Sequence, residues 1–349
     1  MRFLLTDEQR QFARSLDAML AAAGTPAVVR AWAGGDTAPG RALWSRLADA
    51  GVFALAVPER YDGVGLLPVE LAVAFAELGR HAVPGPLVET VAAAAFLDRL
   101  GNGAIAADWL PGIASGKSVV SFALLTADAP YALDAATADG VFVVEGDTVR
   151  LAESAGGVQR SADPARRLAR PLGGAVLARS PAVTAAARHA SRVARLATAA
   201  QALGLGRALL ARTVEYVGRR TQFGVPIGSF QAVKHRLADV LIALEFAQPL
   251  LHSAALALAA DGPDAGREIA AAKVAAGRAA HGAALTALHL HGALGYTDEL
   301  DLSLWIRKAR PLRDAWGTPA VCRARVLAGP GTAPAPASVS TSAQEAVDE

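Results

Sequence analysis

From residue 181 onward the sequence is a succession of long, alanine-rich runs that fit nothing but helix. "PAVTAAARHASRVARLATAAQALGLGRALLARTVEYVGRR" (181–220) far exceeds the roughly 11–12 residues of an average globular helix. "SFQAVKHRLADVLIALEFAQPLLHSAALALAA" (229–260) and "AGREIAAAKVAAGRAAHGAALTALHLHG" (265–292) repeat the pattern. "DLSLWIRKARPLRDAW" (301–316) with "PAVCRARVLA" (319–328) supplies a fourth unit. Four long helices joined by short loops predict a helix bundle. Composition agrees: 53% of the residues are hydrophobic, much of that alanine, and only 5% are aromatic, which favours tightly packed helices over a β-protein.

Residues 1–117 also read as helical. Thr6–Gln9 is a capping-box pattern followed by Phe12, Leu16, Met19 and Leu20 at helical spacing. "ALWSRLADAGVFAL" (42–55) continues the helical theme. "VPERYDGVGLLPVELAVAFAELGR" (57–80) gives a Pro/Gly-marked loop and an amphipathic helix, and "LVETVAAAAFLDRLG" (87–101) gives another. Residues 118–180 change character. "SVVSFALL" and "DGVFVVEGDTVRLAES" are short runs of apolar and β-branched residues, with a hairpin turn at Gly146-Asp147. The expected architecture is therefore mainly α with a small β insert. An N-terminal helical domain spans 1–117, a short middle β-domain 118–180 and a C-terminal four-helix bundle 181–328. The Pro/Ala/Ser-rich 329–349 is expected to be a disordered tail.

This order fits poorly with βαβ repeats. No GxGxxG follows a strand, and there is no GxxxxGK[ST], GxSxG or HExxH. A net charge of +2 gives no reason to expect nucleic acid. The single cysteine, Cys322, excludes an intrachain disulfide and a cysteine metal cluster. His289 and His291 flank one leucine and would not face the same way on a helix, so no metal site is expected. Charges interrupt the N-terminal stretch where a signal peptide needs an apolar core. The unbroken apolar runs fall short of the ~20 residues of a membrane span. The expectation is a cytoplasmic protein with no membrane partner.

Between the first two bundle helices stands "RRTQFGVPIGSFQAVKHRLAD" (219–239). It is either an ordinary helix–loop–helix, with cations on a negative dipole end, or a loop built to hold an anion. Taken with "HLHGALGYTDELDLSLWIRKA" (289–309), the N-terminal "VPERYDGVGLLPVELAVAFAELGR" and "DPARRLARPL" (163–172), it resembles the acyl-CoA dehydrogenases over roughly residues 1–328. The short length is similar to that of the smaller, base-lacking subunits of actinobacterial heteromeric members that degrade steroids.

The resemblance implies FAD held between two subunits. One subunit's β-domain cradles the flavin ring, and the neighbour's bundle holds the pyrophosphate and adenosine. By match, Arg220 is the pyrophosphate arginine, since a guanidinium binds phosphate oxygens in bidentate fashion. Gln222 adds a polar contact and Phe223 an apolar wall. His289 stands where the family usually has glutamine, Gly292 permits close backbone approach, Ala293 replaces a second glycine, and Thr318 matches the threonine of the family's Tyr-Glu-Gly-Thr motif.

The chain departs from the family at the chemistry. Trp316 stands where that motif has its catalytic glutamate. The alternative base position, on the first bundle helix, is Ala194. The family's flavin-ring stretch is replaced by "SFALLTADAP" (121–130). These departures imply a subunit of an acyl-CoA dehydrogenase, in an α2β2 assembly in which a second acyl-CoA dehydrogenase-like subunit supplies the base and an acyl-CoA, such as a steroid side-chain thioester, is the substrate. A homomeric flavin-dependent monooxygenase and a non-catalytic scaffold remain as alternatives. Arg188, Arg192 and Arg195 recur at helical spacing, as a solvated or interface stripe or as a contact for CoA phosphates. Trp316 either fills a pocket or packs in the core.

Overall fold

The computed structural model describes residues 4–127 and 129–328; the tail expected over 329–349 lies outside the described residues. The N-terminal part comprises α1 (Asp7–Ala21), α2 (Thr25–Gly34), α3 (Ala38–Asp49), α4 (Pro68–Arg80), α5 (Leu87–Leu100) and α6 (Gly103–Ala114). The capping box opens α1 as expected: the Gln9 amide donates to Thr6 Oγ1 (3.2 Å) and the Thr6 amide donates to Gln9 Oε1 (2.9 Å). The helical reading of 42–55 runs too far. α3 ends at Asp49, because Gly51 takes a left-handed φ of +81°. The next residues then turn through a short 3-10 segment, Ala54–Ala56, that buries Val52 and Phe53.

The β region holds β1 (Val120–Leu124), β2 (Ala132–Leu133), β3 (Gly140–Glu145), β4 (Thr148–Leu151), β5 (Ser154–Ala155), β6 (Leu168–Ala169), β7 (Pro171–Leu172) and β8 (Val176–Arg179). The main sheet runs β1-β3-β4-β8. β1 lies parallel to β3, with Val120 opposite Gly140. β3 and β4 form the expected hairpin, with Glu145 opposite Thr148 and Gly146 at φ +63° in the turn.

The C-terminal part is built on α7 (Pro181–Arg219), a single unbroken helix of 39 residues. A small hairpin, β9 (Thr221–Gln222) and β10 (Val225–Pro226), leads to α8 (Gln231–Ala259) and then α9 (Ala265–His291). The fourth unit is split into α10 (Leu302–Asp314) and α11 (Pro319–Leu327). Trp316 at φ +57° and Gly317 at φ +132° make the break. α7 packs against α8 and α9 on one side and α4 and α5 on the other, so most of its middle is buried. Glycines set the approach of α4. A Cβ on Gly204 would lie 1.8 Å from the Ala76 carbonyl oxygen, and one on Gly79 would lie 2.0 Å from that of Gln201. Ion pairs Arg30–Asp301 (2.7 Å) and Arg99–Asp261 (2.5 Å) tie the N-terminal helices to the bundle. Both are solvent-exposed and worth about 0–1 kcal/mol each. Asp17, Glu77 and His81 gather between α1 and α4. Arg80 lies within 4 Å of both carboxylates, and a guanidinium so placed opposes a bound cation.

α8 is long and apolar enough, by length and composition, to cross a membrane, and a third of its most apolar stretch is buried. Counting unbroken apolar runs missed this because Glu245 and His252 interrupt an otherwise uncharged 240–259. Its outer face presents Leu241, Ile242, Phe246 and Leu250.

One buried cation gives a pH signature. Lys273 on α9 donates to the carbonyls of Arg313 (2.6 Å) and Leu312 (3.3 Å), closing the end of α10. Burial pushes its ammonium down to about 8. The unfolded chain therefore holds that proton more tightly than the folded one between about pH 8 and 10.5, so this group favours folding more as pH rises through that window. The stability of the native chain, relative to a Lys273→Met variant, is expected to rise by about 3 kcal/mol from pH 7.5 to 10.5. Denaturant melts across that range measure it; a constant difference would refute it.

Candidate functional site

The end of α7 explains the double arginine. Arg219 pairs with Glu215 one turn back (2.8 Å), an ordinary helix-surface contact. Arg220 is the C-cap; its backbone amide closes the helix on the Tyr216 carbonyl (2.8 Å). Its guanidinium is exposed and makes no hydrogen bond or ion pair among the described residues. Gln222 donates Nε2 to the neighbouring Thr221 carbonyl (2.8 Å). Phe223, at φ +53°, is 92% exposed and meets Phe230 edge-on at 6.3 Å. An apolar ring held open to solvent in a left-handed conformation is costly unless something covers it.

α9 ends beside this loop. Tyr216 stacks on His291 with centroids 4.0 Å apart. His291 is buried, and its Nδ1 lies 2.8 Å from the Ala287 carbonyl. His289 is exposed, as the helical geometry predicts. Gly292 follows as the C-cap, at φ +58°. The structure thus gathers Arg220, Gln222, Phe223, His289 and Gly292 at one end of the bundle. An unpaired guanidinium, an exposed ring and an exposed imidazole fit the pyrophosphate and adenosine end of FAD.

Thr318 is not with them. It is the N-cap of α11, its Oγ1 accepting from the Val321 amide (3.4 Å), and it lines a cavity of about 540 Å³ at the far end of the bundle. Arg195 marks the distance: its Nε donates to the Trp316 carbonyl (2.8 Å), and Arg220 lies about 25 residues further along the same helix, roughly 37 Å at 1.5 Å per residue.

Trp316 forms a wall of this cavity. Its indole runs nearly parallel to Phe122 (6.1 Å, 6°), and its Nε1 donates to Glu89 Oε1 (3.0 Å). Glu89, on α5, is a cavity residue that sequence reasoning missed. Its one signal was a lone carboxylate within the apolar run 87–97. Burial pushes its carboxyl up, against the nearby Arg166 guanidinium. Ala194, the alternative base position, is fully buried within the bundle. The three-arginine stripe divides. Arg188 donates to the Thr184 carbonyl (3.3 Å) and Arg192 faces Asp261 (3.7 Å), but Arg195 is only 9% exposed and lines the cavity. It is not part of a solvated face, because α7 is enclosed there on both sides.

Residues 6–117 match the family described as acyl-CoA dehydrogenase, N-terminal domain, and residues 184–329 match acyl-CoA dehydrogenase, C-terminal domain. Acyl-CoA dehydrogenase IpdE2 of Mycobacterium tuberculosis is 34% identical over 86% of this chain and 91% of its own. The ChsE4-ChsE5 complex from Mycobacterium tuberculosis aligns with a TM-score of 0.81 and 26% identity over 93% of this chain and 98% of that one. The Tcur3481-Tcur3483 steroid ACAD aligns with a TM-score of 0.79 and 26% identity over 92% and 96%. With the helix–β–helix architecture and the matched halves in agreement, the chain belongs to the acyl-CoA dehydrogenase family, the FAD-dependent oxidoreductases expected from its sequence.

Proposed function

We propose that this chain is one subunit of a heteromeric acyl-CoA dehydrogenase, an α2β2 assembly that introduces an α,β double bond into an acyl-CoA thioester, with steroid side-chain thioesters as the substrate class. The observation that carries this reading is Trp316, which puts an N–H donor where the family's motif has its glutamate, so that this chain's own cavity lacks that base. The loop at Arg220 and that cavity stand roughly 37 Å apart on one helix. A cofactor held by the loop therefore reaches a ring site on another subunit, not this chain's own cavity.

In this arrangement Arg220 binds the pyrophosphate, Phe223 covers an apolar face, and Gln222 and His289 add polar contacts. When bound, FAD supplies the acceptor for a hydride from the substrate's β-carbon. The α-proton needs a carboxylate, and Trp316 offers only an N–H donor at that position. Glu89, the carboxylate beside it, is buried and already accepts that N–H. The base is assigned to the partner. The exposed apolar face of α8 suits a second subunit, and the similarity to the ChsE4-ChsE5 complex and to Tcur3481-Tcur3483 supports the same assembly.

The test is to purify the chain alone and co-expressed with its partner subunit. Flavin content and desaturation of an acyl-CoA are expected only in the complex. Full flavin occupancy and full activity in the lone chain would sink the proposal.

A further inference from the structure

The cavity walled by Trp316 has a polar composition that the proposed subunit role does not use. Its volume of about 540 Å³ is within the range of small-molecule sites, roughly 300–1,000 Å³. Phe122, Leu124, Leu133, Leu168, Val321 and Trp316 give it apolar walls. Two guanidiniums, Arg166 and Arg195, face into it. Arg195 spends its Nε on the Trp316 carbonyl, and its two Nη groups make no hydrogen bond or ion pair among the described residues. The side chain of Arg166 makes none among the described residues. Glu89, which also accepts from the indole, faces Arg166, and Asp314 is taken by Arg313 (3.1 Å), so Arg195 is the guanidinium left without a carboxylate. A second cation, Arg325, stands close enough to Arg195 to add to burial in pushing its guanidinium down to about 10. A guanidinium buried without a carboxylate, as Arg195 is, is destabilising, and an anionic ligand is what would relieve it.

We infer that this cavity is a binding site for a small apolar molecule bearing a carboxylate, whose carboxylate meets Arg195 and Arg166 and whose body packs against the wall that Phe122 and Trp316 form together. A neutral thioester carbonyl gives two guanidiniums nothing to neutralise, and a metal cation would be repelled by them. The site is independent of the loop at the other end of α7, so neither its success nor its failure bears on the FAD contacts proposed above.

The test is calorimetric titration of the full-length chain with 1-adamantanecarboxylate and its neutral isostere, the carboxamide. The carboxylate is expected to bind at least tenfold more tightly. Arg166→Met, which removes no hydrogen bond of the fold, is expected to weaken the carboxylate at least fivefold and leave the carboxamide unchanged. Arg195→Met is expected to do the same where it folds; Arg166→Met decides the matter where it does not. Equal affinities for the two probes, binding of neither at millimolar concentration, or a carboxylate affinity unmoved by Arg166→Met would overturn the assignment. Displacement of the carboxylate by lumiflavin with undiminished affinity in Arg166→Met would give the cavity to a flavin ring instead.

Discussion

Arg220→Met is expected to strip the co-purified complex of most of its flavin, while Arg219→Met leaves it nearly intact. Arg219 is the last residue of α7 and Arg220 its C-cap, one position on, which makes the pair a sharp comparison. Arg219 already spends its charge on Glu215, in the open. Its loss removes a surface pair worth about 0–1 kcal/mol. Arg220 has no partner among the described residues, and the proposed partner is a pyrophosphate. Hydrogen bonds to charged groups contribute about 1.5–3 kcal/mol, so removing this one weakens FAD binding by about 10- to 100-fold. The ratio of flavin to protein absorbance after desalting, followed by FAD titration of the stripped complex, gives both numbers. Equal retention in the two variants would return the 219–224 loop to the plain reading of a solvated helix end.

The second large effect concerns folding. Gly204→Ala is expected to destabilise the chain by about 2–4 kcal/mol, although alanine is the better helix former. Elsewhere on α7 the intrinsic preference wins: Gly218 is exposed with nothing within 4 Å of a Cβ, and Gly218→Ala is expected to stabilise by about 0.5–1 kcal/mol. At Gly204 the new methyl meets the Ala76 carbonyl oxygen at 1.8 Å. A backbone atom cannot swing aside as a side chain tip can. α4 must move away as a unit, and the Gly79–Gln201 approach opens with it. Urea melts of the two alanine variants should shift in opposite directions. A stabilised Gly204→Ala would mean the α4–α7 contact is looser than its geometry.

The bundle was legible because its signal is local. A long alanine-rich run, the capping box at Thr6 and the Gly146-Asp147 turn each declare themselves within a few residues. The loop after α7 stands out in the sequence for the same reason: Arg220, Gln222 and Phe223 are near neighbours, and its role is the proposal made above. The cavity was not legible. Glu89 comes from α5, Phe122 from β1, Arg195 from α7 and Trp316 from the break after α10. Only the packing of α5 and β1 on α7 brings them together. Arg195 shares its spacing with Arg188 and Arg192, so periodicity alone paints all three as one surface stripe. What separates them is depth within the bundle, a tertiary property.

The length of α7 also fixes a count. In the proposed α2β2 assembly, each copy of this chain lends a phosphate-binding loop to one neighbour and cannot close that loop onto its own cavity. If the cavity takes a carboxylate in place of a flavin ring, complete flavin sites form only where this chain's loop faces the partner's β-domain. The complex then holds half the flavin of a homotetramer of the same fold, and accepts half as many electrons before it must be reoxidised. A reductive titration of the complex would read this as an electron stoichiometry, set by a helix too long for its two ends to serve one site.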